Sequence, residues 1–285
     1  MAGTVEPTQV KLDIGVNSIQ TGDSYDWNLT HIVEDTFMVA DVQIGQYANK
    51  DGGYFKKRRF QPREIVMYIQ SKLNSPAQID ATWLQLRSYM NAKRDGAITL
   101  YKHGVVRTAA GAITSVKKRD EEGMKWNVPA DIRVEFTCPD PWLLSEDIER
   151  AFSAEIPLFM APFTIIAAGY TPSVVSSGNE LTFTVSGDDE PGFLLTLTAT
   201  GACVNPKVTN LAGEYVRAIK TLADGDVLTI YTGAKPYVKC NGAWCSRDRL
   251  STFFPLDIGT NTLTISADSG VANLIPEIEY AERYQ

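Results

Sequence analysis

The sequence predicts a mainly β protein of two domains, and three observations lead to this prediction. The chain has 285 residues, which exceeds the usual size of a single domain. Along most of its length apolar residues alternate with polar ones, as in strands that bury one face. Turn signals rich in Gly, Asn and Asp separate these alternating segments. We therefore expect a β-rich domain at residues 1–150 and an all-β domain at residues 151–285.

The predicted N-terminal domain combines strands with one helix. Alternation is clear from Ile132 to Phe136, and the run from Ile65 to Ile69 is apolar on both faces, as in a central strand. Ser75-Pro76 is a suitable helix start, and Asp95-Gly96 ends the helix and turns the chain into a strand. Between them one apolar stripe is formed by Ile79, Trp83, Leu86 and Met90. We expect antiparallel sheets, arranged as a split barrel, with this helix packed against them.

The predicted C-terminal domain is a β-sandwich of the jelly-roll kind. The charged segment Ser145–Arg150 is compatible with a short helix, and Ile156–Pro162, with two prolines, reads as an extended connector. Short alternating strands follow, with turn signals every 8 to 12 residues. The clearest strands and turns are Leu181–Val185, Leu228–Ile230, Leu263–Ile265, Asp224-Gly225 and Asn241-Gly242.

Charge and composition restrict the class of protein. The net charge of −7 and the pI of about 5.0 give no broad positive field for nucleic-acid binding. The first residues lack a secretory pattern, and the uncharged stretch Ile156–Tyr170 is broken by prolines and too short for a membrane helix. We expect a soluble protein made in a cytoplasm. Its four cysteines are then more readily explained as buried thiols than as disulfides.

No pattern in the sequence predicts catalysis, a metal or a cofactor. The two histidines, His31 and His103, accompany no nucleophile motif. The acidic run Asp188-Asp189-Glu190 lies between turn residues, so a solvated turn explains it better than a glycosidase carboxylate pair. Cys240 and Cys245 lack the second pair of ligands that a structural zinc site needs. We therefore predict no catalytic, metal or cofactor-binding residues.

Two groups of residues are candidates for interaction surfaces. The basic run Lys56, Lys57, Arg58 and Arg59 allows three interpretations: a DNA contact, a solvated loop, or charges that face an acidic neighbouring subunit. In the second domain Tyr231, Tyr237 and Trp244 are either ordinary cross-strand packing or a stacking platform for sugars. A carbohydrate-binding adhesin module is accordingly the alternative to a purely structural role.

The order of several N-terminal motifs resembles a known family, the distal tail (Dit) proteins of siphophages. Asp51-Gly52-Gly53-Tyr54-Phe55 and a basic stretch precede Arg63-Glu64-Ile65 at the start of an apolar strand. The helix and the strand Gly96–Tyr101 follow in the family's order. The run Ile132–Trp142 is similar to the strand and the Cys-x-Asp-Pro-aromatic corner that close that domain. Residues 1–49 match this pattern least.

The second half resembles the same family. Gly213–Val216, Gly225–Ile230 and Val238–Gly242 appear in the order of the family's C-terminal, galectin-like sandwich. They are followed by Leu256-Asp-Ile-Gly-Thr-Asn-Thr-Leu263, a Leu-x-x-Gly-x-Asn-x-Leu segment like the one in that domain.

The resemblance implies a structural, non-enzymatic protein of the virion, assembled in the host cytoplasm. Distal tail proteins form a homo-hexameric ring at the end of the tail through their N-terminal domains. The ring joins the tail tube to the tail tip and surrounds a channel through which DNA passes without specific binding. The implied partners are the tail tube protein, a tail-associated hub or lysin protein, and receptor-binding or side-fibre proteins.

Overall fold

The computed structural model describes residues 9–22, 25–34, 38–72, 84, 86–90, 93–102, 104–118, 132–151, 153–157, 173–177 and 179–285. The chain divides into two compact units: unit 1 is residues 1–146 with 284–285, and unit 2 is residues 147–283. Both are built from antiparallel strands, which confirms the mainly β fold class.

Unit 1 is a curled, half-barrel sheet with a separate two-stranded hairpin. Its strands are β1 (Gln9–Ile14), β2 (Asn17–Gln20), β3 (Trp27–Glu34), β4 (Ala40–Gln46), β5 (Gly53–Phe60), β6 (Arg63–Ser71), β7 (Gly96–Lys102), β8 (Val105–Lys118), β9 (Ile132–Cys138) and β10 (Leu143–Leu144). The main sheet has the strand order β2-β1-β7-β8-β9-β6-β3, and the hairpin pairs β4 with β5.

The long strand β8 joins the two halves of the unit 1 sheet. Its first part pairs with β7 up to Gly111, and from Ala112 onward it pairs with β9. A Cβ on Gly111 would overlap the carbonyl oxygen of Thr137, so only glycine fits where the strand changes partner. A register shift between Ile113 and Ser115 follows at once. These features bend the sheet so that one face encloses a core.

The core of unit 1 contains the alternate residues of β9 that the sequence indicated, and in β6, predicted to be apolar on both faces, one face is buried and the other is half-buried. Ile65, Met67 and Ile69 in β6 and Val134 and Phe136 in β9 are all buried on the same face. Residues 84 and 86–89 are helical, and the amide of Met90 donates to the carbonyl oxygen of Leu86 at 2.9 Å. Leu86 and Met90 belong to this core, which confirms the C-terminal part of the predicted stripe. Ile79 and Trp83 lie outside the described residues.

Unit 2 is a sandwich of two antiparallel sheets. Its strands are β11 (Ile148–Ala151), β12 (Ser153–Pro157), β13 (Ser173–Ser177), β14 (Glu180–Val185), β15 (Phe193–Ala199), β16 (Cys203–Val204), β17 (Lys207–Asn210), β18 (Tyr215–Arg217), β19 (Thr221–Leu222), β20 (Val227–Tyr231), β21 (Tyr237–Cys240), β22 (Ala243–Trp244), β23 (Gly259–Ser266) and β24 (Leu274–Tyr280), and the last strand of the chain is β25 (Arg283–Tyr284). One sheet has the order β11-β24-β15-β20-β21-β22, and the other has the order β14-β23-β17-β18. Two short pairs, β12 with β13 and β16 with β19, complete the unit.

Both sheets of unit 2 contribute to a single core. Leu195, Leu228 and Ile278 come from the six-stranded sheet, and Val208 and Leu263 come from the other. All five are buried, and their neighbours along each strand point away from the core. A short 3₁₀ turn, Val271–Asn273, leads into β24.

Two predictions at the start of unit 2 are wrong. Part of Ser145–Arg150, predicted to be a short helix, is the beginning of β11, because Ile148–Ala151 pairs with the edge of β24. Ile156 and Pro157, predicted to lie in a connector, belong to β12. Charged residues fit β11 because it is an edge strand with an open side.

Candidate interaction surfaces

The β4–β5 hairpin of unit 1, here called the arm (residues 39–61), carries the predicted basic run. The four cations lie in β5, so the interpretation of this run as a solvated loop is wrong. All eight residues of β5 are exposed, and in β4 only Gly45 is buried. A strand normally buries one of its faces, whereas the arm leaves both faces open.

One face of the arm is apolar. Val42 and Ile44 in β4 are 42% and 65% exposed, and Phe55 in β5 is 57% exposed. The pairing registers place Ile44 opposite Phe55 and Val42 opposite Arg58. The guanidinium carbon of Arg58 lies 3.6 Å from the centre of the Phe55 ring, so this cation covers an aromatic ring instead of extending freely into solvent.

The other face of the arm is charged. Arg59 Nε donates to Asp41 Oδ2 at 3.1 Å, and Lys57 lies across from Gln43 on the same face. Lys56 and Tyr54 cover Gly45, where a Cβ would lie 2.7 Å from a carbon atom of each side chain. The sequence-predicted cations thus divide between two faces and do not form one patch.

The base of the arm is fixed to unit 1 by two contacts. Phe60 packs edge-on against the buried Trp142, with ring centres 5.5 Å apart. The amide of Gln61 donates to the carbonyl oxygen of Val39 at 2.8 Å. The base of the arm is therefore held in place, whereas the rest of the arm packs against no hydrophobic core.

The aromatic residues predicted in unit 2 are brought together as a row, here called the aromatic row (Tyr231, Tyr237 and Trp244). Tyr231 and Tyr237 are direct cross-strand partners, with ring centres 5.3 Å apart. Trp244 stands nearly perpendicular to Tyr237, with centres 6.3 Å apart and an angle of 79°. The turn Asn241-Gly242, with positive φ at both residues, holds β22 against β21.

Lys239 completes this group, although no motif in the sequence marks it. Its ammonium nitrogen lies 4.6 Å from the centre of the Tyr237 ring and 5.5 Å from that of Trp244. Lys239 and Trp244 are cross-strand partners, so both face outward while Val238 between Tyr237 and Lys239 is buried. The alternation around Val238 was the signal that predicts this shared face.

The outward face of the six-stranded sheet, here called the outer face, also carries carboxylates and hydroxyls. Burial raises the pKa of Glu279, and the charges of Asp147, Glu149 and Glu277 raise it further. The pairing registers give two rows across the strands: Glu277, Thr196, Thr229, Lys239 and Trp244, and beside it Glu279, Leu194, Tyr231 and Tyr237.

The residues considered for catalysis or metal binding are not arranged as a site. His31 packs beside Tyr68 with ring centres 6.0 Å apart, and His103 lies outside the described residues. Asp189 pairs with Arg283 at 2.9 Å instead of lying in an open turn. Within the described ranges no three metal-ligating side chains come together, and no helix there is long and apolar enough to cross a membrane.

The four cysteines are free thiols. Burial raises the pKa of Cys138 to about 11, against the opposing charge of Arg63. Burial also raises the pKa of Cys240 and of Cys245, which flank the Asn241-Gly242 turn. Raised values keep these groups protonated, and the protonated thiol is the unreactive form.

Comparisons with known proteins agree with this architecture. Residues 186–284 match the family model described as siphovirus-type tail component, C-terminal domain. The Dit protein of phage SPP1, described as a paradigm of the hub adsorption apparatus in phages that infect Gram-positive bacteria, has a TM-score of 0.66 at 10% identity. The match covers 97% of this chain and 99% of that one.

Chains of two phage P2 baseplate structures, both in the activated conformation, are also similar. The one with Ca has a TM-score of 0.53 at 11% identity, covering 97% of this chain and 98% of that one. The one with Sr has a TM-score of 0.52 at 12% identity, covering 96% and 98%. No curated protein matches the sequence. Residues 186–284 are therefore similar to the C-terminal domain of siphovirus-type tail components, and the chain as a whole shares its fold with the Dit protein of phage SPP1 and with the phage P2 baseplate chains.

Proposed function

We propose that this chain is a structural protein of a phage tail tip that forms a hexameric ring linking the tail tube to the receptor-binding apparatus. The family match of unit 2 and the fold of the whole chain support a structural role in a tail or baseplate. The observation that supports assembly is the arm, which exposes apolar and charged faces that a single subunit does not use.

The arm lacks the burial of one face that normally stabilises a β-hairpin in water. An isolated two-stranded hairpin is at best marginally stable, because neither face is shielded. Here Ile44 and Phe55 lie side by side and more than half exposed. Burying side chains of this size contributes about 1.5–3 kcal/mol each. A neighbouring subunit that covers the apolar face supplies this burial.

The contact between subunits is head-to-tail. If the arm of one subunit packs on a different surface of the next, each subunit offers one donor and one acceptor surface, and such contacts close into a ring when the rotation between neighbours divides a full turn evenly. Charge supports this arrangement, since four consecutive cations in the arm belong to a chain of net charge −7. The charged face of the arm, with Lys57 and Arg59, is then directed at an acidic surface of the neighbour and fixes its orientation.

The two parts of the chain have separate tasks in this proposal. Residues 1–150 form the ring, and residues 151–285 form a separate sandwich domain. The ring surrounds a channel for DNA, and an acidic protein suits a channel that lets DNA pass without holding it. The partners are the tail tube protein, a hub or lysin protein, and receptor-binding or side-fibre proteins, and the mature location is the virion. No enzymatic step is required.

The test is native mass spectrometry of the purified full chain over a concentration series, with electron-microscopic class averages of the same sample. We expect a closed species of six subunits with a central opening. Ile44→Ser combined with Phe55→Ser should abolish it, because these residues form the apolar face of the arm. Leu250→Ser is the matched control, since Leu250 is 75% exposed but lies in unit 2.

Two results would contradict the proposal. A chain that stays monomeric at all concentrations, and remains so when mixed with the tail tube protein, does not form the ring. A ring that survives in the double arm variant would show that the arm is not the contact between subunits. A gel-shift assay with duplex DNA should show no retention at physiological salt, because the channel does not bind DNA.

A further inference from the structure

The aromatic row is not explained by the packing of unit 2. Tyr231, Tyr237 and Trp244 point to the outer face, and the core lies on the opposite side of the same strands. Trp244 is 77% exposed at the edge of the sheet. A tryptophan so exposed adds little to the stability of a single chain, whereas large aromatic side chains are enriched where a partner covers them.

Two rings of the aromatic row form a corner, and a hydrogen-bond donor lies beside it. The Tyr237 ring and the Trp244 ring meet at 79°, so one serves as a floor and the other as a wall. The ammonium of Lys239 lies against both rings. Tyr231 extends the floor by one ring along the strand pair. An aromatic face attracts the partly positive C–H groups of a pyranose, and an ammonium has three protons to donate to hydroxyl oxygens.

Charge decides which class of ligand fits. Among the described residues of the six strands, one cation, Lys239, shares the outer face with Glu149, Glu277 and Glu279. Glu149 and Glu279 are direct cross-strand partners, and Glu277 lies on the same face two residues before Glu279, so three like charges stand close together. A polymer of phosphates or carboxylates would add to this repulsion, whereas a neutral polymer of hydroxyls meets donors and acceptors. The hydroxyls of Thr196 and Thr229 lie between the two groups.

We propose that the outer face of unit 2 binds a neutral pyranose polysaccharide, with Trp244 and Tyr237 stacking on successive sugars. Lys239 and the threonines hydrogen-bond to sugar hydroxyls, and the glutamates exclude anionic polymers. The ligand source is a polysaccharide of the host cell surface. This binding does not depend on the ring, since all residues involved belong to unit 2.

The test is affinity electrophoresis of the full chain in gels that contain a neutral glucan, galactan, mannan or rhamnan. A gel with glycerol-phosphate teichoic acid serves as the anionic comparison. We expect retardation in at least one neutral gel and none with teichoic acid. Trp244→Ala should weaken that binding about tenfold, as expected for loss of one stacking contact. Leu250→Ala, which removes an exposed apolar side chain elsewhere in unit 2, should leave it unchanged.

A second pair of variants tests the selectivity. Glu277→Gln combined with Glu279→Gln should keep the neutral binding and allow retardation by teichoic acid. Tyr237→Phe, which retains the ring, should bind like the original chain, while Tyr237→Ala should not. Circular dichroism confirms that each variant is folded.

Three outcomes would overturn this proposal. The first is no retardation by any of the four neutral polymers. The second is equal binding by the Trp244→Ala and Leu250→Ala variants. The third is a change of the native mass in the Trp244→Ala variant without a change in sugar binding, which would make the outer face a protein contact. The mass measurement also separates this proposal from the ring, since the Trp244→Ala variant should still form six-subunit rings.

Discussion

Replacing Asn261 with alanine is expected to destabilise unit 2 strongly, although the side chain touches no ligand. Asn261 is buried at the third residue of β23 and closes the loop before it. Its side-chain oxygen accepts from the amide of Asp257 at 2.9 Å. Its side-chain nitrogen donates to the carbonyl oxygens of Asp257 at 2.7 Å and Gly259 at 3.1 Å. Gly259 has a φ of 100°, a conformation that side chains disfavour, so the loop shape is held by this one amide.

The magnitude follows from the three hydrogen bonds. Each contributes about 1 kcal/mol net, so Asn261→Ala should cost about 3 kcal/mol of the free energy of unfolding. Asn210→Ala is the matched control. Asn210 also binds its own turn, with contacts to Glu214 at 2.8 and 2.9 Å, but these atoms are exposed and water replaces them. Its cost should stay below about 1 kcal/mol.

Hydrogen–deuterium exchange with mass spectrometry measures this loss in the full chain. The amides of β23 and its partner β14 exchange when unit 2 opens, so their protection reports its stability. A loss of about 3 kcal/mol corresponds to roughly 100-fold faster exchange at these amides. If Asn261→Ala accelerates exchange no more than Asn210→Ala does, the loop is not held by the Asn261 amide and the reasoning fails.

Three further changes have defined outcomes. Gly111→Ala should destabilise unit 1 by about 2 kcal/mol in urea unfolding, because a Cβ would meet the carbonyl oxygen of Thr137, and Ala110→Gly on the same strand is the control. Asp226 accepts from the amide of Ala223 and the side chain of Asn241, which lowers its pKa. The stability it contributes is present above its ordinary pKa of 3.8 and is lost as the pH falls through its lower folded value, so the difference from Asp226→Ala in thermal melting should shrink in acid. The raised pKa of Glu279 has the opposite effect on stability. Ionisation of this carboxyl destabilises the folded chain as the pH rises from 4.5 through the folded value. Glu279→Gln should therefore raise the melting temperature at pH 7 but not at pH 4.

Elements that bury one face could be predicted from the sequence. The alternation of Ile132, Val134 and Phe136 placed β9 correctly, and the Asn241-Gly242 signal gave the turn between β21 and β22. These predictions succeeded because burial and local turn geometry act on neighbouring residues. The helix predicted at Ser145–Arg150 was wrong because the structure there is set by a distant contact. The strand β11 is held by pairing with β24, far along the chain, and no neighbouring residue indicates this.

The candidate surfaces were harder to predict, because their residues are not selected by burial. The basic run was identified, but neither the strand that divides it between two faces nor the register shift between Gln43 and Ile44 was predicted. That shift moves Phe55 onto the face of Arg58, and no local pattern announces it. Lys239 was missed for a similar reason, because its relation to Trp244 exists only once the turn brings β22 back along β21.

The same alternation explains how a fold persists at 10% identity while its surfaces change. In β21 the core requires only Val238, and Tyr237 and Lys239 on the other face are under no such constraint. In β5 no side chain contributes to a core at all. The sheets can therefore keep their shape while the outer face acquires a different ligand and the arm a different neighbour. A triple variant in which serine replaces Tyr237, Lys239 and Trp244 should keep the melting temperature of unit 2 within a few degrees. A large drop would mean that these side chains support the sandwich itself.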